Sequence, residues 1–395
     1  MNILLISPFF YPDEIGIALY NKLTVEYLLK KKHDVSVITS VPYYPEWKIK
    51  TPYDSVTLFK KENYLGATVF RVKQFVPRRP TAFKRALQLM HFTILSFRYI
   101  FSVTKNSKII VVTPFTSSIV IALLVRFFRG GKIWCHVQDF EFDAAVETLQ
   151  LKLFKKSLFK IESILFDSCD SVSTISNAML KKLGTKTTTQ RILFPNFIDV
   201  ETFNESFSKH SYFQSNQKPQ LLYSGNIGEK QDWDFFVDFC REVSQDVDIT
   251  IVGNGAMKES LQESLIECQN VRFFNLVPYS ELPQLLCSFN GHILFQKKEV
   301  IDSVMPSKLI AMMLSGKPSF LYGNDLSESK MVAEKSEGAL FYGGNNVKEF
   351  SALVKKNVLN KTHSKKIGDN ARKYARQNFS ENEILGRFEK NLQKL

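Results

Sequence analysis

The chain lacks the cysteine patterns that build disulfide frameworks or hold structural zinc. Its five cysteines lie far apart in 395 residues and none stands in C-x-x-C spacing: Cys135, Cys169, Cys240, Cys268 and Cys287. We therefore expect neither a disulfide scaffold nor a zinc site, and this cysteine usage fits a reducing compartment. Motifs of RNA- and DNA-binding modules are also missing, which makes nucleic acid the weaker of the acidic partners to consider.

A targeting segment and a membrane-spanning run are missing as well. The first residues, 1–8, have no basic stretch before a short apolar run, and they predict a first β-strand rather than a signal peptide. The longest apolar candidate, residues 109–127, is interrupted by Pro114 and by the hydroxyl residues that follow it. It predicts a buried parallel strand followed by a helix, and we expect no transmembrane helix.

Positive charge, in contrast, is in excess, and only in one half. The protein carries 52 Lys+Arg against 39 Asp+Glu, a formal net charge of +13. Residues 1–200 hold 28 Lys+Arg against 15 Asp+Glu, whereas residues 201–395 hold 24 of each kind. Such asymmetry indicates that one half contacts an acidic surface, and we favour anionic lipid over nucleic acid.

Two basic and apolar stretches support a lipid surface. In the first, Arg78, Arg79, Lys84 and Arg85 lead into an apolar run over residues 87–95. The second is a predicted helix over residues 149–166. A rotation of about 100° per residue puts its lysines on one face, four apolar residues opposite them, and two aromatics beside the lysines. The lysines are Lys152, Lys155, Lys156 and Lys160, the opposite residues are Phe154, Leu158, Ile161 and Leu165, and the two aromatics are Phe159 and Phe166. Aromatics among lysines are typical of an interfacial helix. The alternative is a helix packed on the core with a solvated basic face.

Strands and helices alternate along the whole chain, which predicts an α/β fold of two doubly wound parallel sheets. The predicted strands are 2–7, 34–39, 68–72, 108–113, 133–138, 171–175 and 191–194, then 220–224, 248–252, 271–273, 291–295, 319–321 and 338–341. A polar stretch separates the two series. We therefore predict a first domain over 1–203, a linker over 204–218, a second domain over 219–370 and a C-terminal helix over 371–395 that returns to the first domain.

Two short segments of the second half are suited to binding a diphosphate. Pro306 precedes a predicted helix, so Ser307 and Lys308 fall where free N–H groups and the helix dipole favour an anion. Residues 221–231 predict a strand, a glycine turn at Gly225 and then Lys230. In an α/β pattern, these segments predict one ligand held between strand ends. The alternative for the helix start is an ordinary cap with a solvated lysine.

Motifs spread over nearly the whole chain share the order and spacing of one enzyme family. They are Ser7–Pro12 with Gly16, Pro42–Pro45 with Trp47, His136–Phe140, Ser176, Pro195–Asp199 with Phe203, Tyr223–Gln231, Val252–Gly255 and Pro306–Lys308. In this order the chain resembles a retaining glycosyltransferase of family 4, similar to those that build colanic acid and O-antigen. The resemblance implies a GT-B fold, in which two Rossmann-like domains face a central cleft. It also implies a UDP- or GDP-linked sugar donor and a lipid-linked glycan acceptor for bacterial surface polysaccharide, at the inner face of the cell membrane.

The resemblance assigns roles to individual positions. Donor contacts are Gly16, Gly225, Asn226, Lys230, Val277, Pro278, Glu299, Ser307 and Lys308, and acceptor-side residues are Gln138, Asp139 and Glu141. Asp139, Lys230 and Lys308 are the predicted catalytic residues. Asp139 contacts the acceptor hydroxyl, and the two lysines stabilise the negative charge on the leaving β-phosphate. Because the protein supplies that positive charge, we expect no metal and no cofactor besides the nucleotide sugar.

Three departures from the family pattern leave alternatives open. Asn226 stands where many members carry an arginine, and Gln138 replaces the more usual His or Arg before the acceptor-side aspartate. The two glutamates of the E-x(7)-E signature fall on Ser303 and Ala311, and the acidic residues just upstream that could cover one of their roles are Glu299 and Asp302. The missing glutamate pair leaves open a non-catalytic sugar-nucleotide-binding subunit. A sugar-nucleotide 2-epimerase, which shares the two-domain architecture, is the other alternative.

Overall fold

The computed structural model describes residues 1–13, 16–44, 46–78, 81–143, 155–203, 207–214, 217–299 and 307–395. The chain divides into two units, Met1–Pro195 with Leu385–Leu395, and Asn196–Ile384. Several positions singled out above lie outside the described residues: Pro45, Arg79, Lys152, Phe154, Asp302, Ser303 and Pro306. The side chain of Ser307 also lies outside the description.

The first unit is built on an eight-stranded sheet in the described part of the chain. Its strands are β1 (Asn2–Ile6), β2 (Asp34–Ser40), β3 (Phe59–Tyr64), β4 (Ala67–Val72), β5 (Lys108–Thr113), β6 (Lys132–Val137), β7 (Ser171–Thr174) and β8 (Arg191–Leu193). Its helices are α1 (Ile17–Lys30), α2 (Ala82–Ser96), α3 (Ser118–Arg129), α4 (Lys155–Asp167) and α5 (Asn177–Leu183), and 3₁₀ helices cover Tyr53–Ser55 and Phe97–Ser102.

The strands of this sheet lie in the order β3-β4-β2-β1-β5-β6-β7-β8. Neighbours are parallel except β3 and β4, which form an antiparallel pair. From β1 the chain adds strands on one side and then crosses to the other, so the topological switch lies between β1 and β5. In doubly wound sheets, ligands bind outside the carboxyl ends of the strands at such a switch.

The second unit carries a parallel sheet of β9 (Gln220–Asn226), β10 (Asp248–Asn254), β11 (Val271–Phe274), β12 (Gly291–Phe295), β13 (Ser319–Tyr322) and β14 (Ala339–Tyr342). Their order is β11-β10-β9-β12-β13-β14, which puts the switch between β9 and β12. The helices are α6 (Trp233–Glu242), α7 (Lys258–Ser264), α8 (Leu282–Ser288), α9 (Ser307–Leu314), α10 (Glu328–Ser336), α11 (Val347–Leu359) and α12 (Lys361–Phe379). Short 3₁₀ helices cover Val200–Thr202 and Tyr279–Glu281.

The central strands are continuous apolar runs because a parallel sheet is covered on both faces. β1, β5 and β12 are buried almost throughout, and β9 is buried over its first four residues. Aromatic rings fill much of the second core, where the fully buried ones include Phe236, Phe239, Phe289, Phe295 and Phe350. Every predicted strand is present within two residues of its predicted bounds. β3 is an addition that the pattern missed, because Phe59–Tyr64 is mostly polar and only partly buried at the sheet edge.

The boundary between the units differs from the predicted one. The chain divides after Pro195, and the described part of the predicted linker packs on the second unit. The Tyr212 ring stacks on Phe274 with 4.2 Å between centroids, and the backbone N–H of His210 donates to Ser288 Oγ at 2.8 Å. Polar composition misled the prediction because a few aromatic residues inside the stretch make its contacts.

The C-terminal segment forms two helices where one was predicted. α12 packs against α9 and α11 in the second unit. The next helix, α13 (Glu381–Lys394), begins in that unit, and its residues from Leu385 onward group with the first. There the Phe388 ring lies 4.9 Å from the Trp134 ring, and Glu389 Oε1 lies 2.8 Å from His33 Nε2.

Candidate active site

The carboxyl end of β9 carries a close contact between a glycine and a lysine. Gly225 has a φ of +126°, a conformation that L side chains rarely adopt. A Cβ placed on Gly225 would lie 2.4 Å from Cε of Lys308, which belongs to the first turn of α9. Glycine is therefore required for this lysine to reach the end of β9.

Two oxygens hold the Lys308 ammonium in this position. Its Nζ donates to the Tyr223 hydroxyl at 3.1 Å and to the Asn226 carbonyl oxygen at 3.2 Å. The Tyr223 hydroxyl donates to the same carbonyl at 2.7 Å. Burial lowers the pKa of Lys308 from 10.5 to about 8, and no carboxylate among the described residues opposes that shift. A partly buried cation at a helix start, with no counter-ion among the residues that the structure describes, is suited to an anionic ligand.

Lys230 brings a second cation to the same strand ends. Its backbone carbonyl accepts a hydrogen bond from the Lys297 N–H at 3.0 Å, which ties the loop after β9 to the loop after β12. The Lys230 side chain is exposed. These two loops flank the switch between β9 and β12, where a doubly wound sheet binds its ligand.

The turn after β9 is fixed by its own contacts and by β10. The Gly228 N–H donates to Gln231 Oε1 at 3.0 Å, and Trp233 Nε1 donates to the Gly228 carbonyl at 2.8 Å. Gly255, after β10, has a φ of +153°, and a Cβ there would lie 2.3 Å from a backbone carbonyl oxygen of the turn. Asn226 is exposed on this turn.

The other predicted donor contacts lie along the same edge of the sheet. Glu299 is exposed after β12. The pKa of Tyr322 is raised to about 12 by burial first, then by Asp232, and to a smaller extent by the charge of Glu299. Val277 and Pro278 follow β11, and because β10 and β9 separate β11 from β12, they lie on the other side of the Gly225 turn from Glu299.

α9 offers no acidic side chain at the position of the second family glutamate. Ala311 there is only 6% exposed and belongs to the apolar core of the unit. Among the described residues, Glu299 is therefore the acidic candidate closest in sequence to this helix.

In the first unit, the carboxyl end of β6 holds the predicted acceptor residues. His136 Nδ1 lies 2.9 Å from Ser173 Oγ, its Nε2 lies 3.0 Å from Gln138 Nε2, and its ring lies 4.7 Å from the Phe194 ring. Burial lowers the pKa of His136 to about 3, so the ring is neutral. His136 is a core histidine, and Gln138 is its buried partner rather than an exposed contact.

Asp139 and Glu141 follow on the same segment and differ in exposure. Asp139 is exposed, and its backbone carbonyl accepts a hydrogen bond from Thr113 Oγ1 at 3.5 Å. Glu141 Oε2 accepts hydrogen bonds from the backbone N–H groups of Phe115 at 3.1 Å and Thr116 at 2.7 Å. Glu141 thus fixes the loop between β5 and α3, and Asp139 is the more accessible carboxylate.

Gly16 precedes α1 in the first unit, near the end of β1. Its φ of +57° and ψ of −126° form a backbone conformation that glycine adopts readily, and no heavy atom lies within 4 Å of the position that a Cβ would take. The backbone conformation, not a crowded contact, therefore requires glycine. Gly16 belongs to a different unit from Gly225 and Lys308.

The described residues include no group of His, Cys, Asp or Glu that could hold a metal ion. Two Asp-x-Asp sequences do occur, 232–234 and 246–248. Asp232 caps α6 by accepting from the Phe235 N–H at 3.1 Å, Asp248 is buried in β10, and Asp246 pairs with Lys355 at 3.2 Å. In each Asp-x-Asp sequence, therefore, at least one aspartate caps a helix, lies buried or forms an ion pair.

The outward face of α4 differs from the predicted one. Phe166, predicted beside the lysines, is buried, and Ile161, predicted opposite them, is 49% exposed. The inward face is set by buried Glu162, whose Oε2 lies 2.5 Å from Lys186 Nζ. The predicted lysines Lys155, Lys156 and Lys160 are exposed, as are Arg78, Lys84 and Arg85 near the start of α2.

None of the described helices combines the length and apolar character needed to span a membrane.

Comparison with known proteins decides the family. Residues 205–374 match the family model described as glycosyl transferases group 1. The chain is 30% identical to WcaI of Escherichia coli (strain K12), whose name proposes glycosyl transfer in colanic acid biosynthesis, and the match covers 98% of both proteins. The chain belongs to the group 1 glycosyltransferases. The resemblance of this glycosyltransferase to the colanic-acid type is confirmed.

Solved structures confirm the GT-B fold class of this glycosyltransferase. Sucrose-phosphate synthase from Thermosynechococcus elongatus superposes with a TM-score of 0.73 at 13% identity, covering 99% of this chain and 98% of that one. HepE of Anabaena, crystallised with UDP and glucose, gives 0.68 at 12% identity over 100% of both chains. The UDP-forming trehalose-phosphate synthase of Burkholderia vietnamiensis gives 0.70 at 10% identity over 100% of both.

Two side chains at this edge of the second sheet make contacts that the sequence did not predict. The Tyr223 hydroxyl accepts a hydrogen bond from Lys308. The sequence indicates this position, because Tyr223 and Gly225 are two residues apart on one strand and so share a face, which the glycine leaves open. Lys298 Nζ donates to the carbonyl oxygens of Gly343 at 2.6 Å and Gly344 at 2.9 Å. No short-range pattern connects Lys298 with partners so distant in sequence.

Proposed function

We propose that this glycosyltransferase moves a hexose from a UDP- or GDP-linked donor, with retention at the anomeric carbon, to a lipid-linked glycan of a bacterial surface polysaccharide. The polysaccharide is of the colanic-acid, O-antigen or capsule kind. One observation carries the donor half of the proposal. The Lys308 ammonium has no counter-ion among the described residues, and it lies over Gly225 at the end of β9, beside the sheet switch. A diphosphate is the anion that suits such a cation at a helix start.

The proposed chemistry depends on where charge develops. When the bond between the anomeric carbon and the diphosphate breaks, negative charge grows on the β-phosphate. Lys308, Lys230 and the N–H groups of the first turn of α9 provide positive charge there. Because the Lys308 ammonium and the N–H groups of the helix are fixed before the reaction, they stabilise the leaving group as its charge appears. In this proposal the reaction needs no metal and no cofactor besides the nucleotide sugar.

We assign the acceptor to the carboxyl end of β6 in the first unit. Asp139 contacts the acceptor hydroxyl, since its side chain is exposed there. Gln138 and Glu141 support the same segment from behind, through His136 and the loop between β5 and α3. The name of WcaI supports surface polysaccharide as the product, and the basic first half supports a lipid carrier at an anionic inner membrane face.

A screen of nucleotide sugars by thermal shift identifies the donor, because a ligand that binds only the folded state raises its stability. With that donor, Lys308→Ala and Lys230→Ala should each lower turnover roughly 10²–10³-fold, the effect of losing one preorganised stabiliser. Lys348→Ala is the matched control, since Lys348 is an exposed lysine on α11 of the same unit. Activity close to the parent in both site variants would place the diphosphate elsewhere.

Product analysis separates the alternatives. A transferase releases nucleoside diphosphate and extends the acceptor. An epimerase returns a nucleotide sugar of changed configuration without any acceptor. A non-catalytic subunit binds the nucleotide sugar and gives neither product.

A further inference from the structure

The outward side of α2 is apolar where a helix of a soluble unit is ordinarily polar. Its inward side carries Gln88, Phe92 and Ser96, which are fully buried at a spacing of four residues. Phe83, Leu87, Met90 and Ile94 recur at steps of four, three and four and are all exposed, Phe83 at 78%. That spacing places the four side chains along one stripe of the helix. The packing of α2 within this unit does not cover the stripe.

The stripe continues onto the neighbouring elements. The 3₁₀ helix that follows α2 exposes Phe97 and Phe101, and α3, which packs against both, ends with exposed Phe127 and Phe128. The Phe101 and Phe128 rings lie 5.4 Å apart, and Phe127 is 80% exposed. We call this set the apolar face: Phe83, Leu87, Met90, Ile94, Phe97, Phe101, Phe127 and Phe128.

The segment that carries the apolar face has charge of one sign, and three of its cations, Arg71, Arg126 and Lys132, pair with Glu62 or Asp170 outside the segment. Residues 63–138 contain 12 Lys+Arg and no Asp or Glu, and they include all of α2, the 3₁₀ helix and α3. Lys84, Arg85, Arg98 and Lys105 are exposed beside the face. A second copy of the chain would bring the same cations together, which opposes self-association through this face. An anionic bilayer is complementary to the apolar face, because its acyl interior is apolar and the headgroups that cover it are negatively charged.

A groove adjoins the start of α2. It has a volume of about 620 Å³ and is lined by Phe75, Val76, Pro77, Arg78 and Lys84. Its walls are largely apolar, and the side chains of Arg78 and Lys84 contribute two cations to its lining. Apolar walls beside two cations suit an apolar chain that carries a phosphate, so the groove matches the chemistry of the neighbouring surface.

We propose that the apolar face enters the headgroup and acyl boundary of an anionic membrane, with its bordering cations among the headgroups. The inference rests on the proposed lipid-linked acceptor and names the surface that reaches it. In this proposal the apolar face, rather than the exposed side of α4, is that surface. The inward side of α4 is fixed by the Glu162–Lys186 pair, and its outward side offers Lys156, Lys160, Ile161 and Ile164 without an exposed aromatic.

The test is sedimentation of the full chain with vesicles of equal parts phosphatidylglycerol and phosphatidylcholine, and with phosphatidylcholine alone. The variant Phe101→Ser/Phe127→Ser should bind the anionic vesicles at least roughly tenfold more weakly per ring removed, because each ring no longer leaves water. The variant Lys84→Gln/Arg98→Gln should bind roughly fivefold more weakly per charge, and its binding should depend less steeply on salt. The matched control Lys156→Gln/Lys160→Gln on α4 should bind like the parent.

All four side chains changed in and beside the apolar face are exposed, so melting temperature and donor-induced thermal shift should match the parent in every variant. Those readings also separate this inference from the proposed function, since donor binding and transfer to a soluble acceptor analogue do not require vesicles. Loss of vesicle binding in the α4 variant alone would overturn the assignment. So would a parent that ignores anionic vesicles at low salt, or a phenylalanine variant that turns a dimer into a monomer while vesicle binding stays unchanged.

Discussion

The two units share a strand arrangement and differ in the side chains that they carry at the strand ends. Each sheet grows from a central strand beside a switch, β1 next to β5 in the first unit and β9 next to β12 in the second. At the carboxyl end of β9 the second unit presents Gly225, which has no side chain, together with Lys230 of the next loop and Lys308 of α9. After β1 and β5 it presents rings in contact, with Phe9 and Phe115 centroids 5.6 Å apart. Net charge divides in the same way, since the whole excess lies in residues 1–200. Shared topology therefore gives two similar ligand edges, and the side chains decide which ligand suits each edge.

The largest expected effect comes from closing the open edge of the second unit. In Gly225→Ala the new Cβ meets the Lys308 side chain at 2.4 Å and occupies a strained φ. We expect turnover to fall by roughly 10²–10³, as for Lys308→Ala, because the lysine is displaced. Steady-state kinetics with the identified donor measure this. A Gly225→Ala enzyme with parental turnover would show that Lys308 acts from another position.

The next effect distinguishes two carboxylates within the first unit. Asp139→Asn should lower kcat by roughly 10² when the acceptor contact is lost, with little change in melting temperature. Glu141→Gln should do the reverse. It weakens two charge-assisted hydrogen bonds to the loop after β5, so it should cost about 1–2 kcal/mol of unfolding free energy while much of the activity remains. Denaturant titration and kinetics on both variants test the pair, and an exchange of these two outcomes would move the acceptor contact to Glu141.

A smaller effect is expected with pH. Lys308 is charged below its pKa of about 8 and neutral above it, so donor affinity should be highest below that pH. Above it the dissociation constant should rise toward about tenfold per pH unit, because binding must then recharge the amine. An ordinary lysine would hold its charge to a pH near 10.5. Donor affinity that stays flat across this range would contradict the burial of the ammonium.

Stability should change modestly and in the opposite direction to activity. The folded pKa of Lys308 lies below its ordinary value, so the unfolded chain binds more protons between about pH 8 and 10.5, and stability contributed by this group rises with pH there. Below pH 8 the cost of burying the charge is fully present. Lys308→Met should therefore raise the melting temperature by a few degrees at neutral pH and abolish transfer. Tyr223 keeps the Asn226 carbonyl as its partner, so no group is left unpaired. A lower melting temperature would show that the lysine stabilises the fold.

The smallest expected effect is none at all. If protein cations alone support the leaving group, EDTA should leave the turnover rate unchanged. Strict dependence on added Mg²⁺ or Mn²⁺ would assign part of that charge to a metal. This test concerns the second unit alone, because the proposed acceptor contact in the first unit, Asp139, is a carboxylate and not a cation.

The strands could be predicted because buried parallel strands are uniform apolar runs, whereas β3 was missed because half-buried polar edges look like loops. The motifs predict a site that includes Gly225, Lys230 and Lys308, whereas the hydrogen bond from Lys308 to the Tyr223 hydroxyl could be found only from the fold. The outward face of α4 could not be predicted. A helical wheel treats Phe166 and Ile161 only as apolar residues, and the buried Glu162–Lys186 pair that decides their orientation joins residues distant in sequence. The prediction of a linker over 204–218 differs from the structure for a similar reason, because Tyr212 within that stretch stacks on Phe274, which is distant in sequence.

Proton uptake on donor binding tests the central claim most directly. One pH unit above the pKa of about 8, free Lys308 is mostly neutral, and a bound diphosphate should restore its charge. Calorimetric titration with the nucleoside diphosphate, in buffers of different ionisation enthalpy, measures the protons taken up. We predict close to one proton per bound diphosphate in the parent and in Lys348→Ala, and none in Lys308→Met. Equal uptake in the parent and Lys308→Met, or no uptake in either, would contradict the claim that Lys308 holds the donor diphosphate.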